Sequence, residues 1–539
     1  MQAKYKNLSI TIFLLFFSIL AHLLFIANTT HLWDAALYEI FFNNNYKELF
    51  LYQWEANGRA FWGHFYWFLS SIDTIWSFKF TTITAIFMSS VIIFFLLIEF
   101  FSFSKKDALL ISSLGICFPA YQVHLSFTTI VFIVCLPFFL LSFYFLLKAS
   151  KTKSTKNYFA YTILGVLCAL ISFLSEATII IFYGIILTIF ICNVKEKEFS
   201  LNHIKSFSLH NFHLLILPIS YLVFMYLYFP VEGIYEKSRE LNFSLYNFIK
   251  CYTKFIASSF DFNILNPFEK FLKSKNLLII FLILILLTIK YKSFLKKNNI
   301  KNLLTFNQES KKIYLFLIVI IFFLLTALPF VLASRSTSIT GWDLRHLVLA
   351  SYPAVMISYF VIRIYSKPQN FYRNIYIFLF LMFFSLQRDY VIWGARAAHD
   401  QALSIKFSQN PNIKEADIVY REDKNYSPIF KEYLRIYEWL AIAHRSYNSH
   451  SKWITDKKST KSDIEQYALN YGIQKKHINK YFSKNCKSAS INISKNNFTE
   501  SPFKSGLQYF IYKLLSDDPK LKNWLTNHID IEVKQIKKC

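Results

Sequence analysis

Two polar segments, each set beside long apolar blocks, carry the side chains of this chain best suited to chemistry. The first reads His31-Leu-Trp-Asp34-Ala-Ala-Leu-Tyr38-Glu39, then Gln53-Trp-Glu55-Ala-Asn57-Gly58-Arg59-Ala-Phe-Trp62-Gly63-His64. Asp34 follows an apolar block by only a few residues, which holds it near a membrane surface. Arg59 precedes Phe61, Trp62, Phe65, Tyr66 and Trp67, a run that suits a helix lying in the interface. A carboxylate at that depth can take a proton from a hydroxyl, and a guanidinium can bind a phosphate through paired, charge-assisted hydrogen bonds. The plainer reading of the same residues is an aromatic belt with solvated charges.

The second segment reads Ser334-Arg335-Ser-Thr-Ser-Ile-Thr-Gly341-Trp342-Asp343-Leu-Arg345-His346. Arg suits phosphate because its planar fork makes two parallel hydrogen bonds. Anchoring at a membrane surface is the alternative, and it is favoured more for Arg335 than for Arg345. Ser175-Glu176 is a short polar break between two apolar blocks. A glutamate there must be solvated or paired, and it could bind sugar hydroxyls or an Arg, although a plain turn also explains it. Further on come Gln387-Arg388-Asp389-Tyr390, Trp393, Arg396, His399 and Asp400, whose pattern reads as an amphipathic helix leaving the membrane.

Other chemistries leave no trace. The chain has only ten glycines and no phosphate-cradling glycine loop. It lacks an HExxH or cysteine-rich metal motif and a GxSxG nucleophile turn. The seven cysteines show no metal-ligand spacing. Cys117, Cys135, Cys168 and Cys192 read as buried fillers in apolar blocks, while Cys486 and Cys539 lie in a polar tail. The net charge of +26 is assigned to membrane-flanking loops and not to nucleic-acid binding.

The elements that must position these residues are membrane helices. Hydrophobic residues make up 54% of the 539 positions and charged residues 17%, against roughly 25% charge in a soluble domain. Ile10 to Ala27, Thr81 to Phe103, Leu125 to Leu147 and Ile313 to Ala333 are each near the length of about 20 residues that spans a bilayer. Glu99 is the one Asp, Glu, Lys or Arg in these blocks. The first block reads as an uncleaved helix, because Ile26-Ala27-Asn28-Thr29 is a poor signal-peptide cleavage site. Counting blocks predicts an all-α polytopic membrane protein with about eleven transmembrane helices, spanning residues 1–388. Basic short loops at Lys105-Lys106, Lys148 to Lys153, Lys195 to Lys197, Lys290 to Lys297 and Arg363 to Lys367 all fall on one side in that count, with Lys4 and Lys6. This orients the N-terminus to the cytoplasm. Outer loops then cover about residues 28–79, 230–275 and 334–346. Residues 389–539 form a mainly helical extracytoplasmic domain, with amphipathic spacing from Ile429 to Leu440.

With these residues placed, a resemblance emerges. An early helix, a near-membrane Asp34 and the Gly58-Arg59 pair resemble the GT-C class of polytopic glycosyltransferases. The Trp33-Asp34 to Asn57-Gly58-Arg59 spacing is most similar to bacterial O-antigen-modifying glucosyltransferases of the Gtr type. Asp343-Leu-Arg345-His346 before a helix resembles their Arg-His element. The resemblance covers the architecture of the whole chain, but its motifs amount to a handful of residues. It implies a polyprenyl-phosphate sugar donor and a glycan or lipid acceptor at the outer face of a bacterial inner membrane, with no nucleic acid as partner. Asp34 would be the catalytic base, and Arg59, Arg345 and His346 would hold the donor phosphate. Glu39, His64, Glu176 and Asp343 would contact sugar or acceptor. Many relatives carry an Asp-x-Asp pair in the first loop, whereas here Asp34 is followed only by Glu39, which favours a metal-free mechanism without a cofactor.

Two other classes stay open. An O-antigen polymerase or ligase also places Arg and His on outer loops, but needs no near-membrane base. A transporter or flippase expects charged residues at mid-bilayer and broken helices, and apart from Glu99 the apolar blocks promise neither.

Overall fold

In the computed structural model the described residues are 2–30, 34–194, 201–232, 244–260, 309–333, 335, 342–421, 436–447, 453–456 and 487–538. Most of them are helical. The N-terminal helix α1 (Gln2–Ala21) continues after His22 into a short α2 (Leu23–Ala27). The expected first outer loop folds as three short helices, α3 (Asp34–Asn43), α4 (Lys47–Ala56) and α5 (Ala60–Ile72), before α6 (Trp76–Glu99). Then come α7 (Lys105–Ile116), a 3₁₀ segment (Pro119–Leu125), α8 (Ile130–Lys151), α9 (Thr155–Phe173), α10 (Glu176–Val194), α11 (Leu201–His210), α12 (Phe212–Tyr228) and α13 (Leu245–Phe260). The later bundle consists of α14 (Glu309–Leu332), a 3₁₀ segment (Trp342–Ala350), α15 (Ser351–Tyr365) and α16 (Phe371–Gln409).

Among the described residues six helices are long and apolar enough to cross a membrane, or seven if α7 and the 3₁₀ segment after it form one span bent by 41°. This is the pattern of an all-α polytopic membrane protein. Three shorter apolar stretches of 10–17 residues, Leu8–Ala21, Glu176–Cys192 and Phe212–Tyr228, coincide with expected spans. The helix expected before Lys290, like most of the expected loop 230–275, lies outside the described residues.

One expectation about the bundle is corrected. The sequence places a short turn near Tyr121 to His124 and promises no broken span, whereas α7 and the 3₁₀ segment after it are bent by 41° from each other and can form one broken span. The Ile116 carbonyl at the break meets His22 Nε2 at 3.2 Å, and the Gln122 side chain donates to Asp389 Oδ2 (3.0 Å) and accepts from Trp393 Nε1 (2.8 Å), so polar groups at the break are paired inside the protein. Lys79, Asp107 and Asp389 are buried as well, all three outside the apolar blocks read from the sequence. Glu99 is partnered by the Tyr144 hydroxyl, which donates to it at 2.7 Å, and by Lys148 at 3.6 Å.

Helix α16 also differs from expectation. At 39 residues and 1.5 Å per residue it is about 58 Å long, nearly twice the hydrocarbon thickness. The expected boundary between 388 and 389 therefore falls in mid-helix. The first half of α16 packs in the core of the bundle. Its second half, with Ala395, Leu403 and Phe407, builds a second core with Trp439, Ile491 and Tyr509. Asp389, Arg396, His399 and Asp400 are buried in protein and do not lie along an interface.

The C-terminal part comprises α17 (Pro411–Glu415), β1 (Ile418–Arg421), α18 (Ile436–Tyr447), β2 (Trp453–Asp456), β3 (Lys487–Asn496), α19 (Asn497–Glu500), α20 (Pro502–Leu515), α21 (Asp518–Asn527) and β4 (Ile529–Lys538). It was expected to be mainly helical, yet it holds a four-stranded sheet ordered β2-β1-β3-β4, with parallel inner pairings and an antiparallel β3/β4 edge. Ile529-Asp-Ile531-Glu-Val533 alternates apolar and polar residues, the period of a half-buried strand. Helix α20 lies directly against α16: a Cβ built on Gly506 would meet the Val391 carbonyl oxygen at 1.7 Å, and one on Gly394 would meet the Phe510 ring at 2.5 Å.

Candidate functional site

The Gly58-Arg59 pair owes its geometry to the end of α4. Gly58 adopts φ 67°, the left-handed region that glycine enters without steric cost. The Gly58 N–H donates to Glu55 O (2.7 Å) and the Arg59 N–H to Trp54 O (2.8 Å). These two bonds form the Schellman arrangement that satisfies the last carbonyls of a helix. The chain is thereby turned so that Arg59 reaches Glu176, with Nη2 to Oε2 at 3.1 Å.

Glu176 is the first residue of α10, where the positive end of the helix dipole favours a carboxylate. The turn before it is fixed from two sides. Trp62 Nε1 of α5 donates to Leu174 O at 2.9 Å, and the Thr178 hydroxyl donates to Ser172 O and Ser175 O at 2.6 and 2.8 Å. Of the options open for Glu176 in the sequence, the structure selects pairing with an Arg.

Arg59 and Glu176 line a cavity of about 810 Å³. Arg335, Arg345 and His346 line it as well, brought in by the end of α14 and the 3₁₀ segment before α15. His346 is buried, its ring stacked on Phe330 with centroids 4.3 Å apart. Apolar side chains of α10, α14 and α12 line it too, and Leu222, Val223 and Tyr226 of α12 are also exposed on the protein surface. The volume lies within the range of about 300–1,000 Å³ usual for small-molecule sites. Three arginines, a histidine and a carboxylate sharing one cavity with many apolar side chains fit an amphiphile bearing an anionic head.

Four residues singled out in the sequence, Arg59, Glu176, Arg345 and His346, thus converge on one cavity although they come from three separate stretches of chain. Asp34 is the first residue of α3, one turn before Tyr38, which lines the same cavity; the side chains of Asp34 and Asp343 lie outside the described set. Glu39 and His64 are not lining residues. Glu39 is held by Arg445 of α18, with Nη2 to Oε2 at 2.7 Å and Nε to both oxygens at 3.1 Å. Its carboxylate is engaged in an ion pair outside the cavity lining. His64 is exposed on α5.

The cavity also recruits residues not singled out as site residues. Arg335, for which the sequence favours membrane anchoring more than for Arg345, lines the cavity with Asn57 and Trp54. Tyr38 could have been flagged, being one helical turn from Asp34 and so on the same face. Nothing in the sequence pointed to the apolar wall from α12, because its residues look like any lipid-facing helix. Among the described residues no group of three His, Cys, Asp or Glu side chains gathers as a metal site.

Comparison of the chain with protein-family models, with curated proteins and with solved structures found no match in any of the three.

Proposed function

We propose that this protein is a membrane glycosyltransferase that moves a sugar from a polyprenyl-phosphate donor to a glycan or lipid acceptor. The observation that carries the reading is the mixed lining of the cavity, which joins Arg59, Arg335, Arg345 and His346 with apolar side chains of α10, α12 and α14. In this reading the donor phosphate sits among the arginines, and the isoprenoid chain lies along α12 and α14. Asp34 takes the proton of the acceptor hydroxyl while that oxygen attacks the anomeric carbon. The bond from the anomeric carbon to the phosphate oxygen breaks, and the charge left on the prenyl phosphate is stabilised by the arginines. No cofactor takes part. The reading places the protein in a bacterial inner membrane, N-terminus cytoplasmic, with the cavity and C-terminal domain on the outer side.

The test is transfer of labelled sugar from short prenyl-phosphate hexoses in nanodiscs. The expected result is transfer by the wild type and its loss in Asp34→Asn at unchanged donor binding. Wild-type rates in Asp34→Asn would overturn the role of the base. Transfer of whole oligosaccharides would favour the polymerase or ligase reading.

A flippase is the second reading, favoured by the broken helix after α7 and by the buried Asp389 beside it. It predicts movement of a fluorescent prenyl-phosphate lipid between leaflets of reconstituted vesicles with no sugar transfer.

A further inference from the structure

We infer that the C-terminal domain is part of the cavity's machinery, with Arg445, Gln401 and Lys513 acting as positioning residues for α3 and the loop that leads into it. The inference rests on the transferase reading for what α3 does, but its geometric part stands alone.

Helix α3 presents Tyr38 to the cavity, and the next residue, Glu39, takes the fork of Arg445. A bidentate Arg–carboxylate pair fixes direction as well as distance. Immediately after α3, Asn44 Nδ2 donates both to Ile40 O (2.7 Å) and to His444 Nε2 (2.9 Å), adding a second link to α18. The loop before α3 is held from two sides. On the bundle side Lys79 of α6 donates to Ile26 O at 2.7 Å and also to Asn28 O. On the other side Gln401 of α16 donates to Thr30 Oγ1 (3.1 Å) and to the Tyr509 hydroxyl (3.0 Å), and Lys513 of α20 donates to Thr29 Oγ1.

These contacts originate on a stiff frame. Arg396 of α16 binds Glu438 of α18 at 2.9 Å and Asp400 at 3.3 Å, and His399 Nδ1 meets the same Asp400 oxygen at 2.9 Å. All four side chains are buried. Asp400 and Glu438 also act electrostatically on Arg445, so the Arg that grips Glu39 is itself set in a carboxylate-rich site. Helix α20 is seated on α16 at the Gly506–Val391 contact. A rigid path therefore runs from the bundle along α16, through α18 and α20, to both ends of the segment that carries Asp34 and Tyr38. A domain that was only tethered would need none of these links.

The experiment uses the full chain in nanodiscs, with Glu39→Gln, Arg445→Lys and Lys513→Met compared with wild type. Hydrogen exchange should speed up about fivefold or more over residues 34–43, or over the 28–30 loop for Lys513→Met, with α8 unchanged. Unchanged exchange in all three variants would overturn the inference. Farnesyl phosphate is the binding probe, and a farnesyl-phosphate hexose is the donor. In Glu39→Gln the Kd for farnesyl phosphate should stay within about twofold, because the arginines lie on other elements, while kcat falls about tenfold or more. Binding and turnover falling in parallel would mean general collapse of the cavity and would also overturn the inference. A wild type that transfers no sugar, with exchange altered as expected, would sink the transferase reading and leave the clamp standing.

Discussion

Arg59 and Glu176 meet at 3.1 Å across the cavity although 117 positions separate them in the chain. Both side chains are partly exposed, at 36% and 29%, so the pair contributes little to stability. Its weight falls on the charge of the cavity, where Glu176 offsets one of the three arginines. Glu176→Gln should therefore tighten farnesyl phosphate about two- to fivefold, and Arg59→Ala should weaken it about tenfold or more, as loss of a charge-assisted hydrogen bond implies. Titration calorimetry at fixed salt distinguishes these shifts; weaker binding in Glu176→Gln would contradict the assignment.

Gly58 is a second handle on the same Arg. A side chain at φ 67° costs about 1–2 kcal/mol. Gly58→Ala should lower the melting temperature by a few degrees and weaken farnesyl phosphate binding. Gly58→Asn, which tolerates the left-handed region better, should recover most of both.

Gly506 tests the seat of the C-terminal domain. An added methyl would overlap the Val391 carbonyl oxygen, a backbone atom that cannot swing aside. Gly506→Ala should cost about 2 kcal/mol or more. Limited proteolysis should then cut the C-terminal part faster while leaving α8 and α9 protected.

Arg396 is the hub of the buried charges, pairing with both Asp400 and Glu438. Removing it takes a guanidinium from two buried carboxylates and leaves Asp400 its contact with His399. Arg396→Met should destabilise by about 3–5 kcal/mol, whereas replacing Arg396, Asp400 and Glu438 together by apolar residues of similar volume should cost much less. Chemical denaturation of the two variants provides the comparison.

His444 provides a pH test. Burial lowers its pKa below the usual 6.5; Glu39 opposes this and Arg445 adds to it. In the fold His444 is neutral and accepts from Asn44, whereas in the unfolded chain it takes up a proton near pH 6.5. Below that pH the unfolded state binds more protons, so the contribution of His444 to stability should be level above about pH 7 and decline from pH 6.5 toward 5.5. His444→Gln, which can still accept from Asn44, should flatten that decline in thermal melts. An identical pH profile in the variant would exclude the role.

The lesson about legibility lies in particular residues. The apolar blocks of α6, α8, α14 and α16 were readable because a bilayer imposes length and composition locally, on one stretch at a time. Arg59, Glu176, Arg345 and His346 were readable as candidates for a related reason: a polar side chain beside a membrane segment stands out against its neighbours. Glu39 and His64 stood out equally, and nothing local separated them from the residues that line the cavity. The strand at Ile529–Lys538 was written in its alternation and was missed by reading the tail as helical.

Composition and hydropathy alone thus determined that the chain is a helical membrane-type protein with chemistry-bearing polar segments between its apolar blocks. Only the tertiary structure decided that Arg59 faces Glu176, that Glu39 belongs to Arg445, and that α16 runs on to carry a second core. Those choices depend on which helices lie side by side. That is set by packing between residues hundreds of positions apart, and the spacing within one segment cannot express it.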